Sequence, residues 1–282
     1  MKPVDAEQES APAGRHFSFP AIREVDAFRA RIWLRRGMDD IRARPAASLF
    51  YGFCFAAMGV LLLLVFRVAV DYTSTLAMGF MLMGPFLCIG LYDLSRQRLD
   101  GPVADRAAGF RRSLVAWRDN PGGIGIYVLI LTVVFLVWAR ASLVTFALFE
   151  SRGMPSWEAF FRQLATMQNV GFILAFFGVG LIFAVIVFAF SVISIPYLLD
   201  RRADAITAAA VSVLALVRNP AAMAVWALLI AVLIGIGLLT AYIGLLVTGP
   251  LIGHASFHAY RDLIGADAPA ADGHAPQPDA AS

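Results

Sequence analysis

Residues 221–260 read AAMAVWALLIAVLIGIGLLTAYIGLLVTGPLIGHASFHAY, forty positions without one Asp, Glu, Lys or Arg. A helix crosses a bilayer in about 20 apolar residues, so this run holds two crossings joined by a tight turn near 240–242. A single buried soluble helix of that length is not plausible. Pro220 stands just ahead of the run, and the stretch before it is amphipathic. Counting back from Pro220, Leu216, Val213 and Ala209 lie four, seven and eleven positions earlier, and the small Ser212 lies eight earlier. Offsets of four, seven and eleven share one face of a helix.

The same pattern occurs twice more. Before Pro121 the series is Trp117, Leu114 and Phe110 with Ser113; before Pro45 it is Ile41, Met38 and Leu34 with Gly37. Each proline is followed by a long apolar stretch. The chain therefore reads as an all-α membrane protein of six transmembrane helices. They form three pseudo-repeated hairpins, each preceded by an interfacial amphipathic helix. The expected spans are 46–66, 72–94, 123–149, 170–199, 221–239 and 240–260. The membrane domain covers 21–264, with repeats at about 21–100, 101–200 and 201–264; a leader (1–20) and a tail (265–282) are too polar to bury a core and are expected to be disordered.

Composition agrees. Of 282 residues, 60% are hydrophobic and 15% charged, with a mean hydropathy of +0.73, against roughly 25% charged in a soluble domain. Of 23 Lys and Arg, 9 precede the first expected span, 6 lie between spans two and three, 3 between four and five, and 1 after the last. That places 19 on one side, and the positive-inside rule makes it the cytoplasm, with both termini there. The first 40 residues lack a continuous apolar core, so no secretory signal is expected. A single lysine, Lys2, against 22 arginines points to a GC-rich genome and a bacterial inner membrane. The arginines suit anionic lipid headgroups better than nucleic acid, for which no recognition module is present. The outer loop, 150–169, carries Trp157, Phe160, Phe161 and Leu164.

A second repeat marker lies in the even-numbered spans. Gly84-Pro85 is followed at seven and eleven by Tyr92 and Arg96, Gly249-Pro250 by Phe257 and Arg261, and the middle unit has Pro196 without the glycine. Proline inside a span removes a backbone hydrogen bond and kinks the helix. Small residues four apart, Gly84 with Cys88 and Gly249 with Gly253, permit close helix contact.

The chemistry is sparse. His254 and His258 share a helix face at metal-chelating spacing, but no third ligand is evident and satisfied polar residues are expected. Arg140 is the one charge well inside a span and is expected to snorkel to the interface. Asp93 and Asp200, beside Arg96 and Arg201, are expected as interfacial ion pairs. Cys54 and Cys88 are expected as free thiols. No catalytic residue, cofactor or metal is assigned. A non-enzymatic scaffold or accessory factor is the leading expectation, with a second copy or another membrane protein as partner. The alternative is a small-solute transporter or channel, its path lined by Arg140, Asn169, Thr145 and the spans kinked at Pro85, Pro196 and Pro250. A metal- or haem-linked redox role for His254 and His258 ranks last.

The segments MGPFLCIGLYDLSR (83–96), SVISIPYLLDRRADAITA (191–208) and VTGPLIGHASFHAYRDLI (247–264), with the proline-led hairpins, resemble the bacterial integral membrane family of domain of unknown function 2189. The resemblance covers about 17–264 and implies an inner-membrane protein with no established activity. Members are sometimes labelled cytochrome c oxidase subunit I. This chain departs from that pattern, because it has four histidines and two of them, His16 and His274, lie in the expected flexible ends.

Overall fold

The computed structural model describes residues 20–68, 70–101, 105–149, 166 and 170–265, with side chains 66–82, 85 and 146 excepted. Most of the leader, the tail beyond Gly265, Trp157, Phe160, Phe161, Leu164 and Asn169 lie outside the described residues. Every element within them is helical: α1 (Ala30–Ala43), α2 (Pro45–Val68), α3 (Val70–Leu99), α4 (Arg106–Leu114), α5 (Pro121–Phe149), α6 (Val170–Ser191), α7 (Ser194–Arg201), α8 (Ala205–Arg218), α9 (Pro220–Leu239) and α10 (Leu245–Ile264). Tight 3-10 turns occupy Ala27–Arg29 and Ala116–Asp119.

The three marker prolines each open a long helix at its first position. There a missing N–H costs nothing, and the fixed φ suits the helix. An aspartate opens each short helical segment before them. Asp26 accepts from the Phe28 amide, Asp105 from Ala107, and Asp204 from both Ile206 and Thr207, satisfying amides left without carbonyl partners at a helix start.

Among the described residues, four stretches are long and apolar enough to cross a bilayer: Pro45–Val65, Pro121–Phe149, Val170–Arg201 and Pro220–Leu239. The other two expected crossings are helical as well. In α10 the C-terminal half is given over to His254, Ser256, His258, Arg261 and Asp262, which interrupts the apolar run. The middle of α3 falls partly on side chains outside the described set.

Helix order around the body follows a rotation. α2 pairs with α3, α5 with α6, and α9 with α10. Each short helix then leans on the second helix of the preceding pair: α4 on α3, α8 on α6 and α7, and α1 on α10 at the far end of the sequence. The first helix thus closes onto the last. Burial is concentrated at the end where α1, α4 and α8 lie. Ile89 to Gln97 of α3, Ser194 to Leu199 of α7 and Gly253 to Tyr260 of α10 are all buried, with Tyr92 stacked on Phe257 (6.3 Å) and Tyr197 edge-on to Tyr260 (6.3 Å). Along the long helices Leu129, Leu136, Leu174, Leu181 and Leu228 are each more than half exposed. Such a surface suits lipid rather than water.

Four features refine or correct the sequence reading. On the short helices the face at offsets of four, seven and eleven is part-exposed, with Leu114 and Trp117 exposed, which is compatible with the interfacial placement expected of it. The fully buried stripe is one residue round: Asp40, Ala116 and Ala215 at five, Gly37, Ser113 and Ser212 at eight, Trp33, Gly109 and Ala208 at twelve. Small residues let the helices approach the body, and larger apolar ones are left at its edge. Next, the middle short helix stops at Leu114, where Val115 (φ −118°) turns the chain into the 3-10 segment. Third, the 170–199 span is broken at Val192–Ile193. Val192 is four residues before Pro196, the position whose carbonyl a proline ring disrupts. Finally, the turn of the last hairpin extends over 240–244, with Ala241 and Tyr242 at positive φ (51° and 68°), so α10 begins at Leu245.

Candidate functional site

The small residues that bring the short helices close also bring polar groups together. A Cβ at Gly37 would lie 2.9 Å from the Ala255 amide nitrogen, so α1 rests almost backbone-to-backbone on α10. One turn on, Asp40 points into the body, 4% exposed. Its Oδ2 accepts from the Ser95 hydroxyl at 2.6 Å and from His258 Nε2 at 2.8 Å, and its Oδ1 accepts from the Arg98 guanidinium.

His254 extends the network. Its Nδ1 lies 2.7 Å from Ser95 Oγ and its Nε2 2.9 Å from Ser48 Oγ. Because Ser95 gives its proton to Asp40, its oxygen accepts, and the connectivity assigns the proton of His254 to Nδ1. Nε2 then accepts from Ser48. The line Ser48, His254, Ser95, Asp40, His258 is complete, each hydrogen bond having one donor and one acceptor. Burial alone would raise the Asp40 carboxyl. The hydrogen bonds from His258 and from the Ser95 hydroxyl hold it below the ordinary carboxylate range.

A second network crosses from α1 to α7. Arg44 donates to Gln97 (2.9 Å), and Gln97 donates to Asp93 (2.6 Å) and to the Gly109 carbonyl (3.0 Å). Arg96 joins Asp93 (2.6 Å), Asp119 (2.7 Å) and the Leu199 carbonyl (2.9 Å). Asp200 accepts from Tyr260 (2.6 Å) and Arg261 (3.0 Å). Asp262 accepts from Arg29 (2.7 Å), Trp33 Nε1 (2.9 Å) and Arg36 (3.1 Å). Burial would raise Asp262 too, but these donors, led by Arg29, keep it lowered. Asp40, Asp93, Asp119, Asp200 and Asp262 thus tie α1, α3, α4, α7 and α10 into one polar layer.

The residues expected from sequence are placed as follows. His254 and His258 do share a face, but what they meet is Asp40. Among the described residues no group of three His, Cys, Asp or Glu side chains is disposed to hold a metal ion. Arg140 is exposed on α5, while Thr145 is buried and donates to its own helix at the Ala141 carbonyl (2.9 Å). The two therefore lie on different faces and are not brought into one path. Pro196 and Pro250 are buried; the side chain of Pro85 and the whole of Asn169 lie outside the described residues. Asp93 pairs with Arg96 as expected, whereas Asp200 prefers Tyr260 and Arg261 to its neighbour Arg201, 3.7 Å away. Gly253 is pressed on Leu91, as close packing requires, but Gly84 has nothing within 4 Å of an added Cβ. Cys54 and Cys88 are free.

Sequence reasoning missed Asp40, Ser48, Ser95 and Arg98. One signal was available: five positions before the marker proline, two units carry Ala116 and Ala215, and the first carries a carboxylate.

The match to known families bears on what this architecture is. A family model described as predicted integral membrane protein (DUF2189) matches residues 73–200. The chain is an integral membrane protein. The matched region runs from α3 to α7 and includes Asp93, Ser95, Arg96 and Asp119 of the polar layer. No curated protein and no solved structure matches the chain.

Ser48, Ser95, His254, His258 and Asp40 are each at most 4% exposed; beyond one another they meet the Arg98 guanidinium, whose side chain is 41% exposed. A histidine beside a serine and an aspartate suggests nucleophilic catalysis, but here Ser95 is spent on Asp40, and His254 lies between two hydroxyls.

Proposed function

We propose that this chain is a non-enzymatic, multi-pass scaffold or accessory factor of a bacterial inner membrane, without a cofactor. Six helices cross as three pseudo-repeated hairpins, α1, α4 and α8 lie along the cytoplasmic interface, and both termini are cytoplasmic. The observation that carries this reading is the buried polar cluster. Asp40, His254 and His258 face one another across α1, α3 and α10 and are each at most 4% exposed, while the arginines at its rim reach water. Such a cluster fixes helix order and leaves the apolar outer faces for lipid, a second copy or another membrane protein.

The rotation of contacts supports three crossings in pairs, since each short helix meets the same member of the preceding pair. The arginine distribution supports the orientation. The transporter reading has less behind it: Arg140 and Thr145 diverge, and Asp40, His254 and His258 are buried.

The test is flux. Purified protein reconstituted into vesicles is expected to leave proton, sodium and potassium permeability within the range of protein-free vesicles. A sustained flux abolished by Asp40→Asn would replace the scaffold reading with the transporter one.

A further inference from the structure

Where α1 gives way to α2, a groove of about 460 Å³ opens between this junction and the start of α4. Its walls are Arg44, Pro45, Ala47, Phe50, Arg106 and Phe110. The chemistry is divided. Two arginines and two phenyl rings share its lining, the rings edge-on at 5.2 Å. Phe50 is 42% exposed although it lies one turn into a bilayer-length apolar helix.

The arginines are not equally occupied. Arg44 donates to Gln97 through one nitrogen. Arg106 makes no hydrogen bond or ion pair among the described residues and is exposed. The neighbouring carboxylate, Asp105, is engaged in capping the Ala107 amide (2.8 Å). Burial first, and then the charge of Arg106, lowers the Arg44 guanidinium, while the charges of Asp40 and Asp93 act the other way. Two like charges facing one groove destabilise each other unless an anion stands between them. Further along the same segment, Leu114, Val115 and Trp117 are exposed beside Arg111 and Arg118, and Arg118 lies over the Trp117 ring at 5.4 Å. Tryptophan, leucine and arginine together mark headgroup depth.

We infer that this groove is a binding site for one anionic phospholipid, its headgroup phosphate between Arg44 and Arg106 and its acyl chain along Phe50 and Phe110. An anionic lipid fits both halves: guanidinium takes phosphate with two parallel hydrogen bonds, and the phenyl wall continues toward the hydrocarbon. A soluble anion would leave that wall unused. The inference rests on the interfacial placement of α4 in the reading above.

The experiment uses the full chain in neutral detergent and titrates phosphatidylglycerol, phosphatidylcholine or inorganic phosphate alone, with bound lipid read by native mass spectrometry. Phosphatidylglycerol is expected to bind in preference to phosphatidylcholine, with inorganic phosphate not competing at equal concentration. Arg106→Gln should weaken it about five-fold, the effect of one cation at a lipid surface, while Arg106→Lys retains most of the binding and Arg118→Gln leaves it unchanged. Equal binding of the two lipids, full competition by phosphate, or wild-type binding by Arg106→Gln would each overturn the site. Quenching of Trp117 by brominated phosphatidylcholine, taken as the difference from Trp117→Phe, tests the placement separately. Quenching without phosphatidylglycerol preference refutes the site alone; no quenching refutes the interfacial placement with it.

Discussion

Replacing Asp40 by alanine is expected to lower the thermal unfolding midpoint of the detergent-solubilised protein by roughly 6–12 °C, equivalent to about 3 kcal/mol. The carboxylate is 4% exposed and is the shared acceptor of Ser95, His258 and Arg98. Truncation leaves the buried hydroxyl and imidazole without their acceptor, and unmade buried hydrogen bonds are costly. Arg98 contributes less to the loss, because its side chain is 41% exposed and can turn to water. The neighbouring Asp39 is the control. It pairs with Arg42 at 3.4 Å, with both side chains well exposed, and Asp39→Ala should cost no more than about 0.5 kcal/mol. Acid should mimic the substitution. Since the native Asp40 carboxyl lies below its ordinary value, its pairing stabilises fully above about pH 4 and fades as pH falls through the native value. Midpoints measured from about pH 6 to about pH 3 should therefore fall more steeply for the native chain than for Asp40→Ala.

Gly52→Val is the other large effect, expected to cost about 3 kcal/mol. An added Cβ at Gly52 would lie 2.1 Å from the Leu246 carbonyl oxygen and 2.8 Å from its carbon. That obstacle is backbone, so no rotamer change relieves it. The closeness has a cause in sequence. Pro250 stands four residues after Leu246 and has no N–H to offer that carbonyl, and the bare Cα of Gly52 rests on the oxygen so freed, the geometry of a weak Cα–H···O contact. Gly178→Ala, in α6, is the comparison. Nothing lies within 4 Å of its added Cβ, and removing a mid-helix glycine should stabilise by up to about 1 kcal/mol. Thermal midpoints of the two variants should move in opposite directions; a shared direction would mean that α2 and α10 do not cross at Gly52.

The helices were legible because lipid demands uncharged length, and the threefold rhythm because the same offsets of apolar and small residues recur before Pro45, Pro121 and Pro220. Burial on the short helices was harder to read. Hydrophobicity marks the face turned from water, but a helix on a membrane protein has two such neighbours, protein and lipid. Leu114 and Trp117 were apolar for the second reason, whereas Gly37, Ser113 and Ser212 were buried for the first. The polar layer was half legible. His254 and His258 announced a shared face by their spacing, and Asp93 sat beside its partner. Asp40 meets His258 across 218 positions and Ser95 across 55, and nothing local to any of them records such a pairing. Only the substitution of a carboxylate where the other units have alanine hinted at it.

The account depends on the first short helix being clamped to the last long one. Arg29→Cys and Asp262→Cys, introduced together with Cys54→Ser and Cys88→Ser, replace a pair now 2.7 Å apart. Treated with a short bismaleimide in membranes, the doubly substituted chain should give an internally cross-linked monomer, and neither single cysteine should. Absence of the internal product, with cross-linking confined to separate chains, would contradict the closure of α1 onto α10.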